Sequence, residues 1–314
     1  MNATTLKVGH RGQKRPWAPL WAAALALGLV ATSGTAQTTA AKAAAKAAPG
    51  VSTGIEPGAK RFEDLDAKQF AADSENITHA WWPLKPGMQW TYEGYVEEDG
   101  QRIPHRIIFT VTDLVKEIAG VRARVIFDTD ISKGKMEEQE LTFFAQDKVG
   151  NIWHLGQYRE TYDTEFVGGR IWTEGNPAGA KAGIMVPANP KLGDLSFSQG
   201  YAPPPFNWTD RGRVYQTGQK VKVPAGSYDD VLVFEEFDAE HPGALQLKYY
   251  AKGVGNVKVG VRGKSAKKEL MELVKVTKLS ASELEAVRNV ALALEKRGAM
   301  YPMQKPLERV AVRE

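Results

Sequence analysis

Residues 88–114 read MQWTYEGYVEEDGQRIPHRIIFTVTDL. Apolar and polar side chains alternate on both sides of Asp99-Gly100, and period two places Trp90 and Tyr92 on one face. Asp-Gly between two β-rich runs signals a hairpin, because its tight turn needs backbone that glycine adopts without steric cost. Two antiparallel strands are therefore expected here.

The pattern continues outward. Val121–Ile131 and Met136–Ala145 flank the turn Ser132-Lys133-Gly134-Lys135, Asp147–Gly150 is a third turn, and Asn151–Tyr158 follows as a strand. Residues 160–210 are rich in Gly and Pro, with short strands expected at Arg170–Thr173, Gly183–Pro187 and Asp194–Gln199. The run Pro203-Pro204-Pro205 cannot lie in a central strand, since each proline lacks the ladder donor; a rim or lid is expected there. Regular spacing resumes with Arg213–Thr217, Gln219–Val223, Asp230–Asp238, Ala244–Ala251, Asn256–Val261 and Lys267–Lys275. The connections are too short for parallel crossovers. The expected fold is mainly β: a curved antiparallel sheet or barrel-like domain of about ten to thirteen strands over residues 61–279. Ser280-Ala281-Ser282-Glu283 is a capping box, Leu284, Val287 and Ala291 follow at helical spacing, and Gly298 stands where a helix would stop. A C-terminal helix over 280–298 is expected to cover an open end or edge of the sheet, with 299–314 as a loose tail.

At the other end, Lys7, Arg11, Lys14 and Arg15 precede an apolar run from Trp17 to Val30 and the small residues Thr32–Ala36. This is the order of a secretory signal peptide, cleaved after Ala36, and the run is too short to span a bilayer. A periplasmic or secreted protein without a transmembrane anchor is expected. Residues 37–60, repetitive in Ala and Lys, read as a flexible tether. The chain has 41 Lys+Arg and 37 Asp+Glu, and the four signal-peptide bases account for the excess. The mature chain is formally neutral and carries no electrostatic footprint for nucleic acid. It has no cysteine, so its stability rests on a core rather than disulfides.

Several segments resemble a family of secreted bacterial β proteins whose members are mostly uncharacterised. They are Pro83–Gly87 with Trp90 and Tyr92, Ala145–Trp153, Ala182–Ala188 with Gly193-Asp194, Val223–Tyr228, and Lys248–Gly255. The last two also resemble, more loosely, the half-barrel lipoprotein carriers LolA and LolB, which implies an apolar cavity. Where the secreted family carries an acidic residue after the glycine of the Trp153 segment, this chain has Gln157 after Gly156.

Catalytic templates fail. His79, His105, His154 and His241 are scattered with no metal-ligand spacing, and neither Gly263-Lys264-Ser265 nor Gly253-Val254-Gly255 has the remaining glycine of a phosphate or dinucleotide loop. No metal and no cofactor are expected. There is no GxSxG, no SxxK and no thiol nucleophile. Carboxylates are available at Asp128 with Asp130, at Glu140, at Asp229 with Asp230, and at Glu235 with Glu236. Asp128 and Asp130 share a strand face beside a turn, where solvated acids are ordinary. Large aromatics in the strands and on the Pro-rich rim suggest a binding surface, with Trp90, Tyr92, Trp153, His154, Tyr201, Phe206 and Trp208 as the candidate ligand-binding residues. The expected function is a non-enzymatic envelope protein binding or carrying an apolar or glycan ligand. The alternatives are a polysaccharide hydrolase using Asp128, Asp130 or Glu140, and an interaction module docking an envelope protein partner through the C-terminal helix.

Overall fold

The computed structural model describes residues 54–162, 169–204, 206–238, 243–265, 267–298 and 307–310. The expected signal peptide, the tether up to residue 53, Pro205 and His241 lie outside them.

The quoted stretch is a hairpin of β1 (Met88–Glu98) and β2 (Gln101–Ile118), turning at Asp99 and Gly100 with φ of 51° and 75°. After it come β3 (Val121–Ser132), β4 (Lys135–Gln146), β5 (Ile152–Thr161), β6 (Gly169–Thr173) and β7 (Lys181–Val186). The two-residue strands β8 (Phe197–Ser198) and β9 (Gly200–Tyr201) lead to β10 (Asp210–Val223), β11 (Gly226–Asp238), β12 (Ala244–Ala251), β13 (Gly255–Gly263) and β14 (Lys267–Lys278). Helix α1 (Ala281–Gly298) and β15 (Glu308–Arg309) end the described chain. All pairings are antiparallel, in one sheet ordered β8-β10-β11-β12-β13-β14-β1-β2-β3-β4-β5-β7-β9, with β6 also on β5 and β15 on β2. The fifteen strands exceed the expected number because β9 and β15 are too short to show periodicity, whereas β8 falls within the expected Asp194–Gln199 and the expected Arg213–Thr217 and Gln219–Val223 form the single strand β10.

Strands β8 and β9 stand at opposite ends of this order, yet only Gln199 separates them in the chain. No backbone ladder joins the two ends among the described residues, so the sheet is curved and open rather than a closed barrel. Close approach at β1–β14 requires Gly94, where a Cβ would lie 1.9 Å from the Leu270 carbonyl oxygen.

One apolar cluster draws on strands from both halves of the sheet, including Phe109, Ile126, Val186, Phe234, Val259 and Leu273, so its face is the concave one. The loop before β1 plugs one end of that concavity with Ile77, Trp82 and Leu84. Trp82 packs on Phe109, Phe144 and Tyr250 at centroid distances of 5.9, 5.1 and 6.1 Å, joining β2, β4 and β12.

A second cluster lies on the convex face, where Leu141, Phe143 and Ala145 of β4 meet Ala291 and Leu294 of α1. The helix therefore lies across β2, β4 and β6, whereas the sequence reading expected it on an open end or edge of the sheet. Strand β4 presents apolar side chains to both faces, and the outer ones need cover. The capping box forms as read: the Ser280 amide donates to Glu283 Oε2 at 2.7 Å, and Ser280 Oγ accepts from the Glu283 amide at 3.3 Å. Arg288 grips Asp113 through both carboxylate oxygens, and Lys116 pairs with Glu295 at 2.7 Å. The helix thus buries Ala291 and Leu294 against its own sheet and leaves Val290 and Leu292 exposed.

The last residues of the expected tether are docked, with Glu56 accepting from Arg213 at 2.6 Å and from Ser196 at 2.5 Å. The tail expected to be loose contributes β15, where Arg309 reaches Asp113 at 3.3 Å.

Candidate functional site

Period two makes β3 and β4 place acids opposite each other. Asp128 pairs in register with Glu140 and Asp130 with Glu138, on the face that also carries Ile126 and Phe144. Glu140 in turn faces Arg159 of β5, and Val96, at the other side of the concavity, pairs with Glu269 of β14. Gln246 of β12 donates to Glu269 Oε2 at 2.7 Å, and Gln199 donates to Glu236 Oε1 at 2.9 Å. The concave face is thus apolar at the Trp82 end and rich in carboxyl groups at the other.

These acids are nearly dry: Asp130 is 6 % exposed, Glu138 7 %, Glu140 2 % and Glu269 4 %. Removing a carboxylate from water disfavours its charge. Burial first, then the neighbouring Glu138, Asp128, Glu269 and Glu140, push Asp130 well above the usual carboxylate range. Burial likewise lifts Glu140, helped by Glu138. Glu138 is raised by burial to about 7, although Arg159 (3.5 Å) and Lys267 pull it down. Glu269 is raised by burial to about 7 against the pull of Lys248 and the Gln246 hydrogen bond. Further along β10 and β11, burial also raises Asp210 and Glu236, with Lys248 opposing both.

A cavity of about 50 Å³ opens among these groups, lined by the polar side chains of His105, Asp130, Glu137, Glu138, Lys267 and Glu269. Its apolar lining comes from Val96, Ala244, Leu245 and Val261. The space suits roughly three or four waters, or one small polar group. His105 Nδ1 lies 2.5 Å from Ser132 Oγ, while Nε2 is buried without a hydrogen-bond partner, as are Glu140 Oε1 and Glu269 Oε1. Burial, with Lys267 adding to it, lowers His105 to about 4, so its ring is neutral. Among the described residues no group of three or more His, Asp or Glu is placed to hold a metal.

None of the seven aromatic and histidine candidates lines this cavity. Trp90 and Tyr92 sit in the concave core, donating to the backbone oxygens of Val254 (2.9 Å) and Asn256 (2.8 Å). Trp153 points to the convex cluster, packs on Phe70, and donates to Asp147 Oδ2 at 2.9 Å. Tyr201 lies against Phe62, 4.8 Å between centroids. His154 and Trp208 do come together with Trp172, and Phe206 joins them 6.4 Å from Trp172. His154 is boxed by Phe144, Trp172 and Trp208 at 5.0 to 5.2 Å and is lowered by burial to about 4. Trp208, expected on an exposed loop, is 3 % exposed because it bridges to Ala202 and folds its ring inward. Gly156, with φ of 142° and no room for a Cβ beside the Trp172 carbonyl oxygen (2.2 Å), is the irregular step that sets His154 and Gln157 on the concave face.

Asp147 explains the Ala145–Trp153 segment. Its Oδ1 accepts from the amides of Val149, Gly150 and Asn151, and its Oδ2 accepts from Asn151 Nδ2 and Trp153 Nε1. Asp147→Ala is expected to cost about 2–3 kcal/mol in chemical unfolding, since it strands several donors at once, and Asp147→Asn less. A loss below about 0.5 kcal/mol for the alanine variant would contradict this role.

The fold and site together define an open, curved antiparallel sheet with a plugged apolar end and a carboxyl-lined chamber. No protein-family model and no curated protein matches the chain. Among solved structures it is similar to a protein from Bacteroides fragilis described as exported and of YmcC-like fold, at 15% identity and TM-score 0.38, covering 64% of this chain and 100% of that one. It is also similar to a protein described as a lipoprotein from Parabacteroides distasonis, at 12% identity and TM-score 0.36, covering 63% of this chain and 99% of that one. Neither description names LolA or LolB, and that resemblance stays an expectation. No helix among the described residues is long and apolar enough to cross a membrane.

Proposed function

We propose that this is an exported binding protein that receives a polar, hydrogen-bonding ligand in the carboxyl-lined chamber of its concave face. The carrying observation is the convergence of Asp130, Glu138, Glu269 and His105 from four strands onto one cavity with unpartnered buried acceptor atoms. Buried polar groups without partners cost stability and are retained where they serve another purpose. Export rests on the basic, apolar and small-residue order of residues 1–36. Of the ligand classes expected from sequence, the unpartnered acceptor atoms at this cavity favour a hydroxyl- or amine-bearing molecule over an apolar one.

The hydrolase alternative draws on the same acids. A glycosidase needs two carboxyls about 5 to 9.5 Å apart across a cleft that admits a sugar ring. Room for a few waters favours seating an end group over cutting a chain. Mass spectrometry of small molecules released from protein purified from its native envelope is the test. A polar compound is expected; a lipid, or no compound at all, contradicts the proposal.

A further inference from the structure

Resting on that reading, we propose that the chamber seats the protonated primary amine of an organic cation, with the ligand's aliphatic body against the apolar lining of Val96, Ala244, Leu245 and Val261. An ammonium group offers three donors and no acceptor. The chamber offers the complement. In the tautomer that gives Nδ1–H to Ser132, His105 presents its Nε2 lone pair, and Glu269 Oε1 is unpartnered beside the Asp130–Glu138 pair. The unpartnered imidazole is 6 % exposed and lines the cavity, so it is a demand for a donor that the acids themselves do not create.

Charge points the same way. Asp130 of β3, Glu137 and Glu138 of β4 and Glu269 of β14 line the chamber against Lys267, with Asp128, Glu140, Arg159, Arg170 and Lys248 close behind, which leaves the chamber negative once its acids ionise. Lys267, itself an alkylammonium, lies close enough to lower both Glu138 and Glu269, so the protein already uses this pairing in the chamber. A compact ammonium matches the small cavity, and its apolar lining matches the carbon chain behind it. Entry of a cation favours the ionised acids, so binding releases protons and weakens as pH falls.

Calorimetric titration of the full chain with n-butylamine, n-butanol and calcium tests this. At about pH 8 the amine is expected to bind at least about tenfold tighter than the alcohol, and to weaken by at least about tenfold at about pH 5. The double variant Glu138→Gln, Glu269→Gln keeps shape and polarity, and is expected to lose amine binding with its unfolding transition intact. Equal binding of alcohol and amine, amine binding unchanged in the double variant, calcium bound in place of the amine, or no amine binding would each overturn the inference. Recovery of a native ligand that is polar but lacks an amine sinks this inference alone, whereas a native lipid sinks the reading beneath it.

Discussion

Trp82→Ala is expected to lower the unfolding free energy by about 3–5 kcal/mol, the range for truncating a large buried aromatic. Trp82 is 2 % exposed and holds three elements from distant parts of the sheet, since Phe109, Phe144 and Tyr250 belong to β2, β4 and β12. A Cβ on Gly255 would lie 2.8 Å from the indole, so the backbone of β13 is also shaped around it. The cavity left by alanine cannot collapse easily, because its walls are strands fixed by their ladders. Urea unfolding measures the loss. A change below about 1 kcal/mol would mean that the loop before β1 does not plug the concavity.

The second large effect is on pH dependence. A carboxyl group whose pKa is raised on folding contributes stability that is fully present below its unfolded value and is lost as pH rises through the folded value. Glu269 moves from 4.5 to about 7, so the window is about pH 4.5 to 7. At about 1.36 kcal/mol per unit, Glu269 alone is responsible for a loss on the order of 3 kcal/mol. Glu138 acts in the same window, and Asp130 and Glu140 act in the same direction. His105 and His154 oppose them: each is lowered from 6.5 to about 4, so each removes stability as pH falls from 6.5 to 4. The raised acids outnumber the lowered imidazoles of His79, His105 and His154, and the native state therefore holds more protons near pH 6. Stability is expected to fall from about pH 5 to pH 8, and Glu269→Gln is expected to flatten the slope and stabilise the protein at about pH 8 by about 2–3 kcal/mol. A wild-type profile that rises across this range, or a variant less stable than wild type at the alkaline end, would contradict the burial of these acids.

Much of the architecture was legible because turn chemistry and period two are local. Asp99-Gly100 and Lys133-Gly134 turn where expected, and Ser280 with Glu283 starts the helix. The helix position was misjudged because its partner lies elsewhere in the chain, although Leu141-Thr142-Phe143-Phe144-Ala145, apolar on both faces, was a signal that β4 is covered from outside. The site was half legible. Asp128 and Asp130 share a face by spacing alone, but their end of β3 leads into a turn, which reads as solvent. Their burial depends on register with Glu138 and Glu140 and on Glu269, which enters the same cavity from a strand over a hundred positions later. Aromatics drew attention because large rings often bind ligands. Here Tyr92 and Trp208 are buried in the interior, Trp153 donates to Asp147, and Trp90 lines an open pocket of about 520 Å³ beside Tyr228 and Val254.

The acids of β3, β4 and β14 are held nearly dry on the concave face. Carbon-13 NMR titration of the glutamate side-chain carboxyls tests this most directly. Glu138 and Glu269 are expected to titrate near 7, well apart from the exposed glutamates. Midpoints for both in the ordinary range of about 4 to 4.5 would show that water reaches them freely, and would leave no chamber to hold a ligand.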